Sequence, residues 1–413
     1  MTKKHALNSY YYVLLGLAFL LSLHPKFIPP VIILLSVIAL FLFKPKEIFK
    51  TRVIMAFLAF YVLHIIGLAY TNDLNAGIFD LQVKLSILIF PISLFPISQL
   101  PTVRLNRVYE FFVIGCLVAI FICVNIAFWN YTYERWAIKQ SLYSENLGIN
   151  FFLSSRVSYF MHPSYFAMYL GFAVAILLYK PSGFFTNVFL RYGTIVILSI
   201  SIIFLASKLG ILLLVLLLSF FLFSFKSKKM IAAVLVLFVG VFIALISFST
   251  EFANKFKNMT SAFETTKVDQ TSAESSAARV LIWESTTSLI KQSPLIGYGT
   301  GGVKKALNKK YEESGYTGVL SHELNAHNQL LQSTLALGIF GLISILLIFY
   351  YAFKEFSYSK SKLGKMLLII LFVNFMVESM LETQAGVVFF AFWILFELFI
   401  QKSDLPAANT NTL

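Results

Sequence analysis

The sequence predicts an all-α polytopic membrane protein of about twelve transmembrane helices, with one large, partly helical extracytoplasmic loop between spans nine and ten. Three observations carry this. Hydrophobic residues make up 58% of the 413-residue chain and charged residues 13%. The apolar residues come in repeated continuous runs of the length a bilayer crossing needs, about 17 to 25 residues. The runs are continuous rather than alternating, which predicts helices and not a β-barrel.

Taken in order, the runs predict spans over 9–23, 27–43, 53–70, 84–98, 107–129, 159–179, 192–206, 209–225, 230–249, 328–353, 366–383 and 386–401. The chain then divides into spans one to nine (1–249), the large loop (250–327), spans ten to twelve (328–401) and a tail (402–413). Lys3 and Lys4 precede the first run, and no small-residue cleavage site follows it, so that run is expected to stay as the first span.

The net charge of +14 reads as topology rather than nucleic-acid binding. With the N-terminus in the cytoplasm, the inner segments collect Lys44, Lys46, Lys50, Arg52, Arg104, Arg107, Lys180, Arg191, Lys226, Lys228, Lys229, Lys354, Lys360, Lys362 and Lys365. Short outer loops hold few such residues, which is the positive-inside pattern with both termini inside. The large outer loop is nearly neutral, as expected of a translocated segment whose charge does not set topology.

Within that loop, Thr271 and Glu274 form a capping box ahead of a helix expected over about 272–292, which Pro294 terminates. Glycines 297, 299, 301 and 302 predict an irregular turn, and a short helix is expected over 302–313. Cys116 and Cys123 lie in one apolar run and support neither a disulfide nor a metal site.

The candidate functional residues gather on the outer side. His327 is placed in the opening turn of span ten, where the positive helix end favours a neutral imidazole able to accept a hydroxyl proton. The alternative is an interfacial histidine satisfied by water. Arg279, on the loop helix, presents the five-donor fork that suits phosphate oxygens, or else pairs with an acid such as Glu284. Lys208 interrupts a long apolar stretch, where a charge must snorkel, pair or bind an anion. Arg156 and His162 flank the start of span six, and Lys84 opens span four. Glu378 and Glu382, four apart on span eleven, share a helix face and are candidate partners for these cations. Lys84, Arg156, Lys208, Arg279 and His327 thus converge on one membrane face, which suits a polyanion such as a lipid pyrophosphate. Metal-ligand spacing, a Walker loop and a nucleophile elbow are all missing from the sequence, so a metal-free, cofactor-free mechanism is the expectation.

Three stretches carry a resemblance: Ala278-Arg279-Val280-Leu281-Ile282-Trp283, Pro294-Leu295-Ile296-Gly297-Tyr298-Gly299, and His327-Asn328-Gln329-Leu330-Leu331-Gln332 followed by Leu337-Gly338-Ile339-Phe340-Gly341. In order and spacing they resemble the large periplasmic loop of the O-antigen ligase and polymerase superfamily of bacterial envelope glycosyltransferases. Ser207-Lys208-Leu209-Gly210 looks like that family's Ser-Arg-x-Gly turn with lysine in place of arginine, and residues 378–390 look like its closing spans. The resemblance implies an inner-membrane enzyme that moves a glycan from undecaprenyl pyrophosphate to an acceptor hydroxyl, with inversion and without a metal or nucleotide sugar. The acceptor is lipid A–core oligosaccharide in the ligase and a second lipid-linked repeat unit in the polymerase. Carried over by motif, Arg279 and Lys208 bind the pyrophosphate and His327 activates the acceptor. Arg156 and Lys84 join the pyrophosphate set, and His162, Asn328, Glu378 and Glu382 the supporting set, by topology. A glycan ligase, the related polymerase, attachment to a protein acceptor and a transporter of an anionic lipid or small anion all stay open. Charges gathered at one face rather than at midplane favour an enzyme over a transporter.

Overall fold

The computed structural model describes residues 2–42, 51–140, 151–223, 270–271, 273 and 276–403. Among these residues the chain is helical and turn-linked, without a strand. The helices are α1 (Lys3–Leu20), α2 (Ile28–Leu40), α3 (Arg52–Gly67), α4 (Leu74–Ser93), α5 (Thr102–Gln140), α6 (Pro163–Tyr179), α7 (Val188–Phe204) and α8 (Lys208–Phe223). After them come α9 (Ser276–Gln292), α10 (Val303–Glu313), α11 (Thr317–Ser321), α12 (Gln329–Tyr358), α13 (Lys362–Phe375) and α14 (Gln384–Ser403). Among the described residues, five segments are long and apolar enough to cross a membrane: Arg52–Tyr70, Leu74–Gln99, Thr102–Tyr133, Gln329–Tyr358 and Gln384–Gln401. Pro25–Leu40, Pro163–Tyr179, Val188–Phe204 and Lys208–Leu222 are shorter apolar helices.

Each expected span coincides with a helix except the ninth, 230–249, which lies outside the described residues. The front of the large loop to residue 269, Glu274 of the capping pair and the tail from 404 also lie outside them. Two boundaries move. Helix α4 starts at Leu74 rather than at 84, because Asp73 caps it by accepting from the Ala76 amide at 3.0 Å. Its first turns carry Asn75, Asp80 and Gln82, which hide it from a hydropathy count. Helix α13 stops at Phe375, so Glu378 and Glu382 do not share a helix face. They lie instead in a connection whose only regular piece is a single 3-10 turn, Met380–Glu382.

Helix α14 is the axis of the bundle. It is apolar on its buried sides, as an enclosed helix requires, except at Glu397, which is buried and accepts from the Tyr109 and Ser361 hydroxyls. Phe389, Phe392, Trp393 and Phe396 are fully buried. Trp393 stacks on Tyr109 from α5 and meets Phe172 from α6 edge-on, with centroids 5.8 and 4.8 Å away. Around it, α1 packs on α5, α2 on α4, α3 on α12, and α6 on α7, α8 and α13. Because the helices alternate in direction, the chain end of α3, the starts of α4, α6, α8, α12 and α14, and the loop residues 276–328 gather at one end of the bundle.

The loop is locked to that end by a turn and a kink. Helix α12 breaks at Gly338 (φ 62°, ψ −152°), a conformation that an L side chain strains to adopt. The break frees the Leu335 and Ala336 carbonyls, which accept from the Tyr298 and Gly299 amides at 2.9 Å each. Beyond it, the Ile339 amide donates to the Pro294 carbonyl at 2.9 Å. The exposed backbone of a kinked helix is therefore satisfied by the glycine turn, as buried peptide groups require. On its other side the turn meets α3: Thr300 Oγ1 donates to the His64 carbonyl at 2.6 Å, and the Gly301 amide donates to Thr71 Oγ1 at 3.1 Å.

Candidate functional site

His327 stands just before α12, not within its first turn. Asn328 is the cap residue, its Oδ1 accepting from the Leu331 amide at 3.0 Å. The His327 backbone is left-handed (φ 43°), uncommon for a non-glycine residue. Its neighbours hold it there. The Asn325 side chain accepts from the His327 amide at 3.0 Å. Trp283 Nε1 donates to the Ala326 carbonyl at 3.0 Å, and Gln332 Oε1 accepts from the Ala326 amide at 3.2 Å. Asn328 Nδ2 then donates to the Met376 carbonyl at 3.0 Å, and Gln329 Oε1 accepts from the Leu381 amide at 2.6 Å. Backbone strain over-determined by surrounding bonds is a recurrent mark of functional positions.

These bonds bring His327 against Glu378. Its Nδ1 lies 3.4 Å from Glu378 Oε2, within ion-pair reach though without hydrogen-bond geometry. Arg279, from α9, reaches the other oxygen: Nη2 lies 3.5 Å from Glu378 Oε1. One buried carboxylate is thus shared by the arginine and the histidine. The arginine Nε is buried and without a hydrogen-bond partner, so the fork keeps a donor for a further acceptor. Burial alone would push the Glu378 carboxyl up. The neighbouring His327, with Arg279 and His162 adding their charge, more than offsets this and holds it below the ordinary glutamate value.

A carboxyl held low contributes stability that is present above its unfolded pKa and lost as pH falls through the lowered value. Wild-type protein is therefore expected to lose thermal stability below about pH 4.5, the ordinary glutamate value. Thermal unfolding across pH 3 to 7 checks this, and Glu378→Gln should flatten the acid limb.

His162 caps α6, its Nδ1 accepting from the Ser164 amide at 3.4 Å. Lys208 begins α8, after a turn in which Ala206 is left-handed (φ 48°) and Ser207 Oγ accepts from the Gly210 amide at 3.2 Å. Gly210 sits where α8 crosses Ala167 of α6, which sets Lys208 level with the start of α6. Arg156 is exposed in a 3-10 turn, its guanidinium 5.9 Å from the centre of the Phe151 ring. Lys208 and Arg156 thus share the end of the bundle that holds Glu378. Lys84 does not open its helix: it lies in the third turn of α4, 1% exposed, between Asp80 and Glu382.

The glycine turn provides no anion cradle. All six amides from 297 to 302 donate within the protein: to Ser293 O, Leu335 O, Ala336 O, Gly67 O, Thr71 Oγ1 and Gly299 O. Its role is to hold the loop.

Sequence reasoning missed Asp80, Trp283, Gln329 and Gln332. Asp80 was readable, since an acid four residues before a lysine inside an apolar helix signals an intrahelical pair. Trp283 and Gln329 bond to backbone groups far along the chain and Gln332 to the Ala326 amide just before its helix, which no spacing reveals.

The sequence model of the O-antigen ligase family matches residues 193–346, a stretch that holds Lys208, Arg279 and His327. A candidate polysaccharide ligase of Rickettsia conorii is 34% identical over 110 residues, 26% of this chain and 27% of the relative. Similar proteins of Rickettsia felis and Rickettsia typhi, described in the same words, are 33% identical over 110 residues and 30% identical over 128. The chain thus matches these relatives over about a third of their length or less. Over that central stretch, the chain is similar to the O-antigen ligase family and to these polysaccharide ligases.

Proposed function

We propose that the protein is a glycosyltransferase of the inner membrane that moves a glycan from undecaprenyl pyrophosphate to an acceptor hydroxyl at the periplasmic face, with lipid A–core as acceptor. The observation that carries this reading is the shared carboxylate: Glu378 places an arginine with a spare donor beside a histidine. In the transfer, the acceptor oxygen attacks the anomeric carbon, and the bond from that carbon to the pyrophosphate breaks. Undecaprenyl pyrophosphate leaves with the bonding pair, and the hydroxyl proton goes to His327. The Arg279 fork stabilises charge on the departing oxygen, with Lys208 and Arg156 adding positive potential at the same end of the bundle. Glu378, facing Nδ1, orients the imidazole so that Nε2 meets the acceptor and then balances the imidazolium. Lysine at 208 supplies charge without the bidentate fork of arginine.

The test is purified protein with an undecaprenyl-pyrophosphate-linked glycan, offered lipid A–core or a second lipid-linked glycan. Glycan on lipid A–core supports the reading. Elongated lipid-linked chains alone would reassign the protein as a polymerase, and an intact donor with either acceptor would overturn the transferase reading. In the same assay Trp283→Phe, which removes the bond to the Ala326 carbonyl, is expected to lower kcat roughly fivefold, the equivalent of about 1 kcal/mol for one hydrogen bond. Donor KM should stay unchanged.

A further inference from the structure

Lys84 is in a poor place to grip a donor. Its Nζ donates to Asp80, one turn earlier on α4, and to Glu382 Oε1 at 3.0 Å. Its side chain is 1% exposed, against 14% for Asp80 and 26% for Glu382. An unpaired ammonium at that depth would be costly, and two carboxylates already answer it. With all three ionised the group is net negative, so an approaching pyrophosphate would be repelled.

Glu382 closes the same connection that carries Glu378. That connection is fixed on one side by the residues following His327: Asn328 binds the Met376 carbonyl and Gln329 the Leu381 amide. Lys84 fixes its far end from α4, through Glu382. The connection is therefore held between the start of α12 and the middle of α4, and Glu378 sits within the span so held.

We propose that Lys84, anchored by Asp80, is a positioning residue: by holding Glu382 it sets Glu378 against His327 and Arg279. This rests on the transferase reading for its consequence in catalysis, though the clamp itself can be tested without it. Asp80 becomes part of the machinery, and Lys84 acts on the reaction without touching the donor.

The experiment uses full-length protein in detergent, with Lys84→Met, Glu382→Gln, the double variant, Lys84→Arg and the exchange of Lys84→Glu with Glu382→Lys. Thermal unfolding is read first. Each neutral variant should lower the midpoint by several degrees, the double variant should fall no further than the worse single, and the exchange should recover most of the loss. Additive losses would overturn the clamp. The second readout is the acylation rate of His327 by diethyl pyrocarbonate, located by mass spectrometry. It should change severalfold in Lys84→Met and return towards wild type in the exchange; an unchanged rate overturns the positioning role. In the transfer assay, Lys84→Met should lower kcat by about tenfold or more with donor KM unchanged. A raised KM with kcat unchanged would show that Lys84 holds the donor, and overturn the proposal. If wild-type protein transfers no glycan, the transferase reading fails, while unfolding and acylation still decide the clamp. Should Lys84→Met not fold, Lys84→Arg and the exchange variant give the same three comparisons.

Discussion

Replacing His327 with alanine is expected to lower glycan transfer by about 10² to 10⁴, the range a positioned proton acceptor contributes. Donor binding should survive. The expectation follows from the proposed division of labour around Glu378, which both residues approach: Arg279 towards the donor and His327 towards the acceptor. The alanine variant leaves Arg279 paired to the same carboxylate. Purified variant should then bind lipid-pyrophosphate glycan like wild type while forming little product. Unimpaired transfer would remove His327 as the base, and lost donor binding would move it to the donor side of the site. The acid limb of stability should shrink as well, because His327 is the largest of the neighbours holding the Glu378 carboxyl low.

The second large effect is structural. Gly338→Ala should destabilise the protein by at least about 3 kcal/mol, at the upper end of what single substitutions cost. Two penalties combine: a left-handed backbone strained by a Cβ, and a clash of that Cβ with the Leu295 carbonyl. Straightening α12 to relieve them would withdraw the carbonyls that Tyr298 and Gly299 use. Gly16→Ala is the control, because a Cβ there meets nothing within 4 Å. It should be neutral or slightly stabilising. Thermal unfolding of the two variants side by side checks the contrast, and equal midpoints would refute it.

The helices were legible because a bilayer leaves the backbone little choice, so continuous apolar runs mark them. Where protein rather than lipid surrounds a span, that signal fails. The first half of α4 carries Asp80 and Lys84 because the lysine is paired with both Asp80 and Glu382, and a hydropathy window discards it. The opposite error arises at the end of α13. Val377, Met380 and Leu381 prolong an apolar run past the true helix end, because Met380 and Leu381 are buried in a turn. Arg279 and His327 stood out as candidates from residue type and setting. Their meeting on Glu378 was not, since it depends on a left-handed residue at 327 and on bonds from Trp283, Asn328 and Gln329 to backbone far along the chain.

The glycine turn has a consequence for engineering. Its amides end on α3, on the segment just after α3 and on α12, so residues 294–302 form a rivet through three pieces of chain. A graft that moves residues 270–328 into another scaffold leaves half of that rivet behind. The folded form of this segment can therefore be transplanted only with the end of α3 and the first turns of α12 included. Sequence change in evolution has the same restriction: the segment cannot be exchanged like a cassette, and must vary around its fixed seams.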